Sequence, residues 1–149
     1  MTRLPRAIED HIENHEDNFK VMDIVSHRYF PIFGQIPILP NFYAKGDDYD
    51  RIDGAKILRR AILNHKLDRL DVAKKYLYTF RHQPLKGHKI VFAEAIDGYK
   101  NLRLDDEDKR QLKVIQDVTG FNDFTFNIIR RKSDDKIVFI DTQLLGFSF

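Results

Sequence analysis

Four runs of strand-forming residues, arranged as two pairs with a helical stretch before each, constrain this chain more than any other feature. The later pair, residues 126–131 and 136–141, is rich in Ile, Val and Phe and is separated by Lys132-Ser-Asp-Asp135. Such runs around a polar turn predict a β-hairpin. The earlier pair is 75–80 and 89–96, joined by the polar link 81–88. Within 75–80, Tyr76, Tyr78 and Phe80 alternate with Leu77 and Thr79, a period of two that puts three rings on one face. Hairpins separated by helices predict an α+β fold, small antiparallel sheets with packed helices, rather than an alternating parallel α/β sheet.

The helices announce themselves by a different period. Ile52, Ala55, Leu58 or Arg59, and Ile62 recur at steps of three and four, predicting an amphipathic helix over 50–64 despite Gly54. Asp105 is an N-cap followed by acids at 106–108, with Leu112, Ile115 and Val118 or Thr119 on the inner face and Gly120 as the stop. Near the start, Pro5 opens a helix with Ile8 and Ile12 on one side, and the stripe runs on through Phe19, Met22 and Ser26, making 1–30 a helical segment. His11 and His15 stand four apart, but with no third ligand in view they read as a solvated helix face.

The connecting stretches are read by their breakers. Residues 31–41 hold three prolines in eleven residues, which forbids a helix and predicts an extended, packed segment. It leads into a short strand, 42–45, that presents Lys45 beside Gly46 and an acidic turn. Residues 67–72 read as a turn, and Gly98 and Asn101 as a loosening of the chain after the strand that carries Glu94 and Ala95. Glu94 either faces solvent by alternation or is a buried acid that needs a partner. His82 and His88 fall in the polar link and are expected in solvent.

Length and composition close off several function classes. With 149 residues the chain is expected to form one domain, 1–149. Lys plus Arg at 25 nearly cancels Asp plus Glu at 23, leaving no overall field for nucleic acid or an anionic membrane. Arg130-Arg-Lys132 is short and sits beside Asp134 and Asp135, so it reads as a solvated hairpin tip. The absence of cysteine excludes disulfides, a cysteine-ligated zinc and thiol catalysis. No stretch approaches the roughly 18 apolar residues of a membrane span, and a cytoplasmic protein is expected. The chain carries no P-loop, no Gly-x-Gly-x-x-Gly turn and no Gly-x-Ser-x-Gly elbow. The apolar tail Leu144-Leu-Gly-Phe-Ser-Phe149 predicts either core docking or a surface for a protein partner.

The chemistry gathers at the ends of the later hairpin. Asp123 and Asn127 enter its first strand and Asp141 leaves its second. Three oxygen-bearing side chains there suit a hard cation such as Mg²⁺, which takes one or two carboxylates plus water and phosphate. Asp and Asn are also ordinary strand-end residues, because their side chains bond nearby backbone.

A strand ending in a lysine, a helix, an antiparallel hairpin, a second helix, and a hairpin carrying Asp, Asn and Asp resembles the core of the protein-kinase-like fold. The resemblance spans roughly 38–147. Phe42-Tyr-Ala-Lys45 is similar to the strand that presents the phosphate-pairing lysine, and 50–64 to the regulatory helix. The run 89–98, with Glu94 and Ala95, is similar to the strand entering the adenine-binding hinge. Asn127 matches the metal-binding Asn, Asp141 the metal-binding Asp, and Asp123 the base that orients an acceptor hydroxyl. ATP and Mg²⁺ are the implied cofactors. Asp123 and Asn127 stand four positions apart rather than five, the helix offers Lys45 only Asp50 or Asp53, and no glycine-rich loop precedes Lys45. The resemblance therefore implies a reduced domain without the helical substrate-binding lobe, binding a nucleotide with Mg²⁺ and weak or inactive as an enzyme. A non-enzymatic scaffold or protein-interaction module of the same α+β shape is the alternative.

Overall fold

Alternating and helical periods in the sequence become strands and helices in an α+β structure, seen in a computed structural model that describes residues 4–20, 30–31, 42–46, 50–125 and 127–147. Its helices are α1 (Arg6–Glu13), α2 (Asp50–Asn64) and α3 (Asp106–Thr119). Its strands are β1 (Phe30–Pro31), β2 (Phe42–Gly46), β3 (Leu70–Val72), β4 (Lys75–Thr79), β5 (Lys89–Glu94), β6 (Gly98–Tyr99), β7 (Ile128–Arg131) and β8 (Ile137–Phe139). They group into two compact units, Met1–Tyr49 with Lys74–Ala95, and Asp50–Ala73 with Ile96–Phe149.

The first unit holds an antiparallel sheet in the order β1-β2-β5-β4. The alternation in β4 does what it predicts: Tyr76, Tyr78 and Phe80 are buried together with Ile90 and Phe92 of β5 and with Ile12 of α1. Phe19 closes this cluster edge-on to Phe80, ring centroids 5.5 Å apart, the geometry that aromatic quadrupoles favour. The helix, however, does not reach Phe19. It stops at Glu13, and a single 3₁₀ turn, Glu16–Asn18, follows. Glu16 is pulled out of helical register because its buried carboxylate takes the Tyr78 hydroxyl and the backbone N–H groups of Arg81 and His82, each amide at 2.9 Å. The expected continuation through Met22 and Ser26, and most of the proline-rich stretch, lie outside the described residues.

The second unit is a four-stranded sheet, β3-β8-β7-β6, covered by α2 and α3. The expected hairpin is present as β7 and β8, with Ile128 opposite Phe139 and Arg130 opposite Ile137. Phe126 is outside the described residues. The capping signals also act as expected. The Asp105 side chain accepts the Asp108 N–H at 2.8 Å, Asp108 accepts the Asp105 N–H at 3.1 Å, and Gly120 ends α3 at φ 77°. Of the two candidates for the end of the inner stripe, Val118 is exposed and Thr119 half-buried.

Two stretches expected to be irregular are strands. Residues 70–72, read as a turn, form β3 and pair with β8 in parallel, so this sheet is mixed rather than antiparallel. Leu70 and Val72 are buried around a half-exposed Asp71, an alternation too short to stand out of its charged surroundings. Gly98 does not loosen the chain. It lies in β6 opposite Arg131, and a Cβ there would sit 2.9 Å from the Arg130 carbonyl carbon, so the missing side chain lets two backbones close up. No described helix is long and apolar enough to cross a membrane.

Candidate functional site

The end of the β7–β8 hairpin is built by short-range bonds. The Ile140 N–H donates to the Asn127 carbonyl at 2.9 Å, extending the ladder one rank beyond Ile128 and Phe139. The Asn127 side-chain amide donates to the Asp123 carbonyl at 2.8 Å, closing the turn between them and tying two of the predicted site residues together. Asp123 itself is exposed and Asn127 half-buried.

Asp141 lies one residue past that last rank, and its environment is not a strand boundary alone. Its Oδ1 is held by the guanidinium of Arg51, from the first turn of α2, and accepts the Gln143 N–H at 3.3 Å. Arg51 is 2% exposed and Asp141 32%, so the arginine is the buried partner. The next residue continues the attachment, since the buried Thr142 hydroxyl donates to the Arg51 carbonyl at 2.5 Å. Leu144 then donates its N–H to Asp50 at 3.2 Å. Asp50, one of two acids the resemblance offers to Lys45, thus binds the segment that follows Asp141, while Asp53 is exposed.

That segment shows where the apolar tail goes. Phe147 is buried against Phe121, centroids 5.0 Å apart, and Leu144 packs on the same cluster. Leu144 and Phe147 therefore pack into the core of the second unit. The two terminal residues lie outside the description.

Oxygen donors of the kind that hard cations take remain at the hairpin end. Among the described residues, Asp141 Oδ2 and the Asn127 side-chain oxygen make no hydrogen bond, which leaves two oxygen donors. Mg²⁺ needs few protein ligands when phosphate and water supply the rest. No group of three or more His, Cys, Asp or Glu among the described residues is arranged to hold a metal. His11 and His15 stack at 4.2 Å between ring centroids, with His15 Nδ1 on the His11 carbonyl at 2.8 Å.

Lys45, Glu94 and Ala95 belong to the first unit. Lys45 pairs with Val91 across β2 and β5, and Glu94 pairs with Phe42 at the other end of the same two strands. Glu94 is half-exposed, and its carboxylate accepts the Lys74 N–H at 2.9 Å, which resolves the choice between a solvated and a buried acid in favour of a partly shielded, bonded one.

The arginine cluster departs most from expectation. Arg130 and Arg131 are not a solvated tip: their side chains are 15% and 20% exposed. Arg130 reaches the buried Asp108 at 2.9 Å, and Arg69 reaches the same carboxylate at 3.2 Å. Arg131 bridges Asp71 at 2.8 Å and Asp134 at 2.7 Å. Hydrogen bonding to Arg131 lowers the Asp134 pKa to about 2, and Arg69 likewise depresses Asp105. The same pairs raise Arg69 and Arg131 further above their usual value. A cavity of about 450 Å³ opens beside this network, lined by four basic and five acidic residues, so it has no excess charge to select an anion.

Sequence reasoning passed over Arg51. A signal was present: Arg51, Ala55 and Leu58 follow the same helical spacing as the apolar stripe and are all buried, so a cation stood inside a buried face. Comparison of the chain with protein-family models, with curated proteins and with solved structures finds no match.

Proposed function

We propose that this protein is a reduced kinase-like domain that binds a nucleotide with Mg²⁺, weak or inactive in phosphoryl transfer. The observation that carries the reading is the hairpin end, where Asn127 forms the last rank and Asp141 follows it, each keeping one oxygen without a hydrogen bond among the described residues. The order of elements supports it: lysine strand β2, helix α2, antiparallel pair β4 and β5, helix α3, hairpin β7 and β8. Phosphoryl chemistry asks a protein mainly for positioning and charge neutralisation, so a lysine for phosphate and an Asn/Asp pair for the metal form a minimal set. Within the second unit Asn127 and Asp141 would hold the ion; the roles of Lys45 on phosphate and of Glu94 and Ala95 on the base come from the resemblance alone. Mg²⁺ would supply the positive charge that phosphate oxygens require.

Thermal unfolding with and without Mg-ATP tests this, because a ligand that binds only the folded state raises stability by mass action. Wild-type protein is expected to shift upward, Lys45→Met and Asp141→Asn to shift much less from their own baselines. An unshifted wild type, or an equal shift in Asp141→Asn, would remove the reading.

A further inference from the structure

The bond between Arg51 and Asp141 bears directly on how the site takes a cation. We propose that Arg51 is a built-in competitor for the metal: its guanidinium neutralises the Asp141 carboxylate, and a divalent cation is held tightly there only when Arg51 withdraws. The inference rests on the reading of Asp141 as a metal ligand and adds a control to it.

Three observations support the competition. Arg51 is a fixed resident, since it is buried and its own carbonyl is held by the Thr142 hydroxyl at 2.5 Å. Gly54, one turn on, is packed so closely that a Cβ would lie 2.9 Å from the Thr142 carbonyl carbon, which keeps residues 141 and 142 against α2. The pair also cancels charge at the site. With Asn127 neutral, a divalent ion approaching Asp141 meets no net negative charge from these three side chains and a guanidinium at hydrogen-bond range. Coulomb repulsion at such separations is strong where one partner is shielded from water. Displacing Arg51 is also costly, because it breaks an ion pair of a buried cation. The metal and the Arg51 guanidinium therefore compete for the charge of this carboxylate: Oδ2 beside a paired Oδ1 offers only a weak hold, and tight binding through the whole carboxylate should loosen the attachment of 141–144.

The test uses Mn²⁺ alone as the probe, followed by water-proton relaxation on the full chain. Arg51→Met keeps the buried stem and removes the charge. It is expected to bind Mn²⁺ more tightly than wild type, on the order of tenfold or more, and Arg51→Met with Asp141→Asn should lose the gain. Equal affinity in Arg51→Met and wild type overturns the competition and leaves the metal reading standing. Failure of both proteins to bind removes the metal reading and the competition with it. Should Arg51→Met not fold, wild type alone decides the matter by NMR with Mg²⁺. The Arg51 Nε–Hε signal should move in step with the Asn127 side-chain amide, and an Asn127 response with Arg51 unmoved overturns the proposal.

Discussion

Gly54→Ala gives the cleanest test of the tertiary structure, because local and tertiary physics predict opposite signs. In a helix interior alanine is better than glycine by about 1 kcal/mol, so helix α2 in isolation would gain from the change. In the folded protein the new Cβ would fall inside the shell of the Thr142 carbonyl oxygen, 2.9 Å from its carbon and 3.1 Å from the Phe147 ring. Carbon atoms pack at about 3.5–4.0 Å, so backbone has to move, which overpacking studies place at roughly 1–3 kcal/mol. The motion also strains two bonds that bracket the contact, the Thr142 hydroxyl on the Arg51 carbonyl and the Arg51–Asp141 pair. The first is worth about 1 kcal/mol, and the second adds about 1–2 because Asp141 stays partly solvated. Against the propensity gain, the net loss comes to about 2–5 kcal/mol. Calorimetric melting should read this as a fall of roughly 5–15 °C. A variant that melts at or above the wild-type temperature would show that α2 and residue 142 are not packed this closely, and the argument for a held Arg51 would go with it.

Other predictions probe the remaining contacts. Glu16→Ala leaves the Tyr78 hydroxyl and two amides without their buried acceptor, and should cost about 3 kcal/mol in urea unfolding, with Glu16→Gln recovering part; a loss below about 1 kcal/mol contradicts the buried role. Phe147→Ala should destabilise by about 3 kcal/mol through the cavity it leaves beside Phe121, while unchanged stability with altered oligomeric state on gel filtration would mark the tail as an interface. Because the Asp134 pKa is lowered to about 2, its pairing with Arg131 stabilises the fold above the ordinary Asp value near 4 and is lost as pH falls toward 2. Melting temperature should drop across that window, less steeply in Arg131→Leu, and an identical slope in the two proteins argues against the pair.

The hairpins, the helix over 50–64 and the capped helix after Asp105 were legible because each is written in neighbouring residues. A period of two, a period of 3.6, and an acid followed by its capping partner three residues on are local quantities. The contact between Asp123 and Asn127 shares that property, since they stand four positions apart. Strands β3 and β6 were not legible, because three residues and two residues are too short to display a period and were recruited by partners already in the sheet.

The site divides along the same line. The residues that would face a cation could be named from their positions at strand ends, yet whether their oxygens are available is decided by residues far along the chain. Arg51 meets Asp141 across 90 positions, Arg131 meets Asp71 across 60, and Arg130 meets Asp108 across 22. An arginine beside a hairpin tip is solvated or buried according to what folds against it, and no local pattern carries that information. Sequence alone therefore determined the hairpins and the two longer helices, and which oxygen-bearing side chains stand at the ends of the later hairpin. Tertiary structure alone decided that a buried guanidinium already holds the carboxylate, because charge pairing depends on distance in space and not on distance along the chain.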